Sequence, residues 1–267
     1  MKRVATVAAT IALAGGLVLS LLPAAGASSG PSISTSAPVA SSSNASVDER
    51  LAYKPRQRFA REFVRRGDVD SSPSNIKHVR ELQYRLTWAG AYNGPITGRF
   101  DSRLSGAVKR FQKRSKLRVT GVANVHTWKK LIPKTVRGRK AVPQGCKVRT
   151  GWHACYDRSR HQVTLWKRGK LWNSWLVRGG SSSTQTRVGR SEVYFRNKDH
   201  VSSLFGSPMP YSQFFDGGQA FHGSTLMMNP FVGHSHGCVN MYIKDARQLW
   251  QLTAHRELKV RVYGAWS

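Results

Sequence analysis

Two domains of different class, a small three-helix bundle followed by a mostly β domain, are what this sequence predicts. Three observations carry that reading. Apolar residues recur at helical spacing between positions 76 and 131, strict alternation takes over at Gln162, and a basic stretch containing Pro and Gly separates the two patterns. The chain has 267 residues, enough for two domains of ~100–200 residues each, and at 40% hydrophobic it can build their cores.

The chain opens with basic Met1-Lys2-Arg3, an apolar stretch over 4–22, and the small-residue sequence Ala25-x-Ala27. This is the layout of a secretory signal peptide over 1–27, cut after Ala27. The other reading is an uncleaved anchor, and membrane contact would then come through this segment alone. Residues 28–74 read as a Ser/Ala-rich and then charged linker, with a helix expected around 56–65.

Order is expected from Asn75. Ile76, Val79, Leu82, Leu86 and Ala89 share a helical face that Gly90 ends. Leu104, Ala107, Val108 and Phe111 mark a second helix capped by Asp101 or Ser102. Asn124 caps a third, which carries Trp128 and Leu131 and is expected to stop at Pro133. The bundle therefore occupies 75–133 and a linker 134–145. In the second domain, 146–267, strands are expected at 162–166, 171–177, 192–195 and 258–263, with a turn at Arg168-Gly169 and one helix at 244–253.

Charge narrows the partners. Lys and Arg total 43 against 13 Asp and Glu, a formal net charge of +30. Such a surface suits nucleic acid, anionic lipid or an anionic wall polymer. Export removes nucleic acid from that set and favours a cell-wall location. Three cysteines in an exported chain leave one over. The economical reading pairs Cys146 with Cys155 and leaves Cys238 a free thiol; two free thiols, or a bridge to Cys238, are the alternatives.

Chemistry concentrates in Ala220-Phe221-His222-Gly223 and Gly233-His234-Ser235-His236-Gly237-Cys238-Val239-Asn240-Met241, where one Cys and three His fall within 17 positions. Two chemistries fit. His234, His236 and Cys238 alternate and could meet His222 around a tetrahedral zinc. Alternatively a His activates Cys238 as a nucleophile, the ion pair lowering the thiol pKa, with nearby backbone N–H groups as an oxyanion hole. Only six acidic residues lie between 146 and 267, and none is in the motif, so a carboxylate base for a hydrolytic zinc site is missing locally.

These segments resemble two known families. Val79-x-x-Leu82-Gln83-x-x-Leu86, Gly90-Ala91-Tyr92-Asn93-Gly94-Pro95-Ile96-Thr97-Gly98-x-Phe100, Ala107-Val108-x-x-Phe111-Gln112 and Thr127-Trp128-x-x-Leu131 resemble the peptidoglycan-binding domain 1 family. His222, followed by Ser235-His236-Gly237-Cys238-Val239-Asn240, resembles the signature of the L,D-transpeptidase (YkuD-type) catalytic domain. One departure is Thr186-Arg187-Val188-Gly189, where that family usually has Thr-Pro-x-Gly.

The resemblance implies Cys238 as nucleophile and His222 as its base, oriented by a backbone carbonyl near Gly223. Ser235, His236, Gly237 and Asn240 would shape the site, with the amides of Gly237 and Cys238 as oxyanion donors. It implies no metal and no cofactor, and peptidoglycan stem peptides and glycan as partners, beside anionic wall polymers. The implied reaction releases D-Ala from a tetrapeptide stem and forms 3→3 cross-links. An L,D-carboxypeptidase using the same Cys238 acyl-enzyme, a zinc peptidoglycan peptidase, and a wall protein with a vestigial site are the alternatives.

Overall fold

Residues 53–267 are described by the computed structural model; the expected signal peptide and the first part of the linker lie outside the described residues. A helical region precedes a mostly β region built of two sheets, as the patterns predict. Helices α1 (Val79–Trp88), α2 (Ser102–Arg114) and α3 (Val125–Lys134) bury Leu82, Leu86, Leu104, Val108, Phe111, Trp128 and Leu131 together. Asp101 and Asn124 cap α2 and α3 by accepting backbone N–H groups of their first turns. The start of α1 is satisfied from a distance: the Asp70 carboxylate accepts the N–H groups of Lys77, Val79 and Arg80 at 2.7–3.2 Å. Pro133 sits inside the last turn of α3 instead of ending it. Near a terminus the missing N–H costs one bond, and the Thr135 N–H closes the turn on Leu131 and Ile132.

The first sheet has the order β3-β2-β1-β9-β4, from β1 (Trp152–Asp157), β2 (Gln162–Lys167), β3 (Lys170–Leu176), β4 (Gly189–Glu192) and β9 (Leu258–Tyr263). Arg168 and Gly169 both take positive φ, the requirement of the tight turn that joins β2 to β3. The second sheet runs β5-β6-β7-β8, from β5 (Phe195–Val201), β6 (Pro208–Asp216), β7 (Gln219–Gly223) and β8 (Val239–Met241). The strand expected over 192–195 is instead the crossing between sheets. Val193 N–H bonds Leu258 of the first sheet, and Tyr194 N–H bonds Phe214 of the second. Helix α4 (Ile243–Thr253) adds Ala246, Leu249 and Leu252 to the core that Val163, Trp175, Phe221, Val239 and Val260 share.

The expectation of a linker up to residue 74, with a helix at 56–65, is corrected: 53–74 is packed and forms no helix. Val64 and Ala123 exchange backbone hydrogen bonds, and Phe59 N–H bonds Trp172. Arg61 is 2% exposed. It grips Glu81 of α1 through Nε and Nη2 at 2.8 and 3.1 Å and donates to the Ser174 carbonyl of β3 at 2.7 Å. Arg85 Nε donates at 2.7 Å to Glu81 Oε1, the oxygen that Arg61 Nη2 also holds, and Arg85 Nη2 donates to the same Ser174 carbonyl. Asp245 of α4 lies 3.1 Å from His78 and 3.7 Å from Arg61. These charges can be buried because each meets its complement.

Residues 134–145 are likewise not a free tether: Val136 and Val142 are buried in the helical core. Cys146 and Cys155 form a disulfide that fastens this stretch to β1.

Candidate active site

β7 and β8 lie side by side and parallel, with His222 opposite Asn240 and Phe221 opposite Val239. Alternation puts Phe221 and Val239 in the core and turns His222 and Asn240 to the other face. Cys238, one residue before β8 and two before Asn240, comes out on the His222 face. Both line a cavity of about 350 Å³. Leu204, Phe205 and Leu226, all exposed, stand on its rim.

A hydrogen-bonded turn presents the thiol. Ser235 Oγ accepts from the Gly237 N–H at 3.1 Å and donates to the Cys238 carbonyl at 2.5 Å. Gly237 takes φ 118°, open to glycine alone at little cost. The Gly237 N–H, expected to serve as an oxyanion donor, is therefore engaged by Ser235. From the other side, segment 178–181 is stitched to the motif: Ser235 N–H bonds Gly179, Ser181 N–H bonds Ser235, and a Cβ on Gly180 would collide with the Thr184 carbonyl.

The Thr186–Gly189 departure has a physical role here. Thr186 Oγ1 donates to the Gly237 carbonyl at 2.8 Å, and the Arg187 N–H donates to Gln219 at 2.9 Å, a bond that proline could not make.

His222 is buried, and its Nδ1 donates to the Gly223 carbonyl at 2.8 Å. That bond puts the hydrogen on Nδ1 and leaves the Nε2 lone pair available. Among the described residues no carboxylate orients the ring: Asp216 is paired with Arg187 at 2.8 Å, and Asp245 with His78. Burial holds His222 down at about 4, against the raising effect of the Gly223 carbonyl. Burial also pushes the Cys238 thiol up, although the Ala220 backbone and Arg187 work the other way. Both shifts favour the neutral thiol and imidazole over the ion pair expected from sequence.

His236 stacks on Phe205 with ring centroids 4.3 Å apart, and His234 lies against Trp266 at 5.4 Å. Among the described residues these histidines, His222 and Cys238 do not gather into a metal-sized cluster; His78, Glu81 and Asp245 do, but there Arg61 and Arg85 supply the positive charge. Sequence reasoning missed Arg178, which also lines the cavity and looks in the sequence like a charge closing an apolar strand.

Residues 76–131 match the peptidoglycan binding domain family, and 151–262 match the L,D-transpeptidase catalytic domain, YkuD. These matches identify a peptidoglycan-binding segment and an L,D-transpeptidase catalytic segment within the chain. Both domains support peptidoglycan as the partner and suggest action outside the cytoplasm. An L,D-transpeptidase from Stackebrandtia nassauensis is 22% identical, with 75% of this chain and 95% of that one covered and a TM-score of 0.49. One from Xylanimonas cellulosilytica is also 22% identical, covering 76% and 98% with a TM-score of 0.44. No curated protein matches the chain.

Proposed function

We propose that this protein is an exported, wall-associated L,D-transpeptidase that forms 3→3 cross-links through a thioester on Cys238. The observation that supports this most is that His222 and Cys238 share one face and one cavity, with the His222 hydrogen held on Nδ1 by the Gly223 carbonyl so that Nε2 carries the lone pair. In this reading Nε2 removes the thiol proton as Sγ attacks the carbonyl of the third stem residue. The Cys238 N–H is the oxyanion donor we assign, and Ser235 and Gly237 hold it in position. Collapse breaks the C–N bond, and His222 returns the proton to the departing D-Ala amine. The side-chain amine of a second stem then attacks the thioester, His222 takes its proton, and Sγ leaves and is reprotonated.

The acid limb of the reaction follows from His222. Imidazolium cannot accept a proton, so the acylation rate should fall as pH drops through about 4, and not near the ordinary ~6.5. Acylation rates between pH 3.5 and 9 check this, and a limb at 6.5 would mean that the ring titrates as if in water.

Intact-mass spectrometry with a disaccharide-tetrapeptide tests the function. We expect a tripeptide adduct on Cys238, released D-Ala, and then a cross-linked dimer. An adduct that resolves only to free tripeptide would make the protein an L,D-carboxypeptidase. D-Ala release with no adduct would withdraw Cys238 and reinstate the zinc peptidase.

A further inference from the structure

Of the two arginines that line the cavity, Arg187 is bound to Asp216, and Arg178 has no acidic partner among the described residues. Arg178 follows β3 and pairs with Asn240 in both directions, Arg178 N–H to Asn240 O at 2.9 Å and Asn240 N–H to Arg178 O at 2.8 Å. Directly paired residues put their side chains on the same face. Arg178 thus emerges beside Asn240, His222 and Cys238. The residue is 9% exposed. Nη1 reaches only the Val232 carbonyl, at 3.3 Å, and Nε is buried with no hydrogen-bond partner. No Asp or Glu is among the residues lining the cavity.

A buried guanidinium without an anion is costly, and so is a buried N–H left unpaired. Both costs vanish if the anion arrives with the ligand. A planar fork of donors matches a carboxylate, and one guanidinium left without an anion, the second being neutralised by Asp216, suits a single negative charge.

We propose that Arg178 is a specificity-determining residue that binds a carboxylate of the donor stem peptide and so sets the scissile carbonyl over Cys238. This rests on the transpeptidase reading. Two carboxylates have the required chemistry: the terminal carboxylate of the leaving D-residue and the side-chain carboxylate of a diamino acid at the third position.

The test compares three tetrapeptide donors, one with both carboxylates free, one with a C-terminal amide, and one with a side-chain amide. Acylation rate constants are measured by intact mass on the parent protein, Arg178→Gln and Arg178→Lys. Calorimetry measures binding of the same donors to Cys238→Ala, with and without Arg178→Gln. On the parent, one of the two amides should cost about 30-fold or more, the scale of losing one partner of a buried charge pair. On Arg178→Gln the same amide should cost less than about threefold, with Arg178→Lys between. The amide that shows this coupling identifies the carboxylate.

Equal losses on parent and Arg178→Gln would overturn the assignment and leave the transpeptidase standing. An unchanged rate on Arg178→Gln would do the same. If no donor acylates the parent, the function falls first. The binding arm then still decides on Arg178, since equal affinity with and without it overturns the proposal. Alkylation of Cys238 by iodoacetamide and the unfolding midpoint report whether each variant is folded. Should Arg178→Gln not fold, reduced amide discrimination by Arg178→Lys carries the test.

Discussion

Cys238→Ala should lower peptide acylation by about 10⁴-fold or more and abolish the covalent adduct, while the unfolding midpoint stays within a degree or two. The loss is that large because thiol and imidazole act as a unit, and removing the nucleophile leaves only binding. Stability should hardly move, because Cys238 is half-buried and its thiol makes only weak polar contacts, a long 3.8 Å approach to the Gly218 carbonyl and one with the Ala220 backbone. Rates with a chromogenic or isotopically labelled tetrapeptide, beside a thermal melt, check both halves. Residual turnover within tenfold of the parent would show that another group performs the attack.

Glu81→Ala should destabilise the protein by about 3–5 kcal/mol, the cost of stranding buried charges by removing one partner. Arg61 and Arg85 would both lose their closest anion, in a seam almost closed to solvent. Urea unfolding measures it, and a loss below about 1 kcal/mol would mean that water reaches the seam in the variant.

The same cluster gives the stability a pH dependence. Burial alone would raise the carboxyl pKa of Glu81, but Arg61 and Arg85 overcome it and hold it at about 2; its contribution is full above about 4.5 and lost as pH falls toward 2. Burial opposes a charge on His78, yet Asp245 and Glu62 raise it to about 10, so its contribution is full below 6.5 and lost as pH rises toward 10. His222 acts the other way. With its folded value at about 4, it takes stability away as pH falls from 6.5. The three together place the maximum near pH 6.5, which melts across pH 3–10 would locate.

Local signals explain which parts of this were readable. Caps at Asp101 and Asn124, the Arg168-Gly169 turn and the motif from Ser235 to Asn240 are encoded within a few residues, and each was legible. Segment 53–74 was not: Arg61 looks solvated in the sequence because its partners stand 20 to 187 positions away. β1 is buried along its whole length, so it shows no alternation to read. In the site, the order of Cys and His carried the resemblance on which the proposed chemistry rests. Arg178 carries no motif, and its importance comes from pairing with Asn240 across a fold that spacing does not reveal.

The buried charges also bear on how such a protein can be shuffled. Arg61 comes from the segment before the helices, Glu81 and Arg85 from α1, Ser174 from β3, and Asp245 from α4. A recombination break inside 134–145, where a domain boundary would be drawn from sequence, would join one half of a complementary set to a stranger. The graft would inherit lone ions in a dry seam. For this chain the unit of exchange is the whole of 53–267, and a chimaera made from less must bring the matching residues at 61, 81, 85 and 245 along with it.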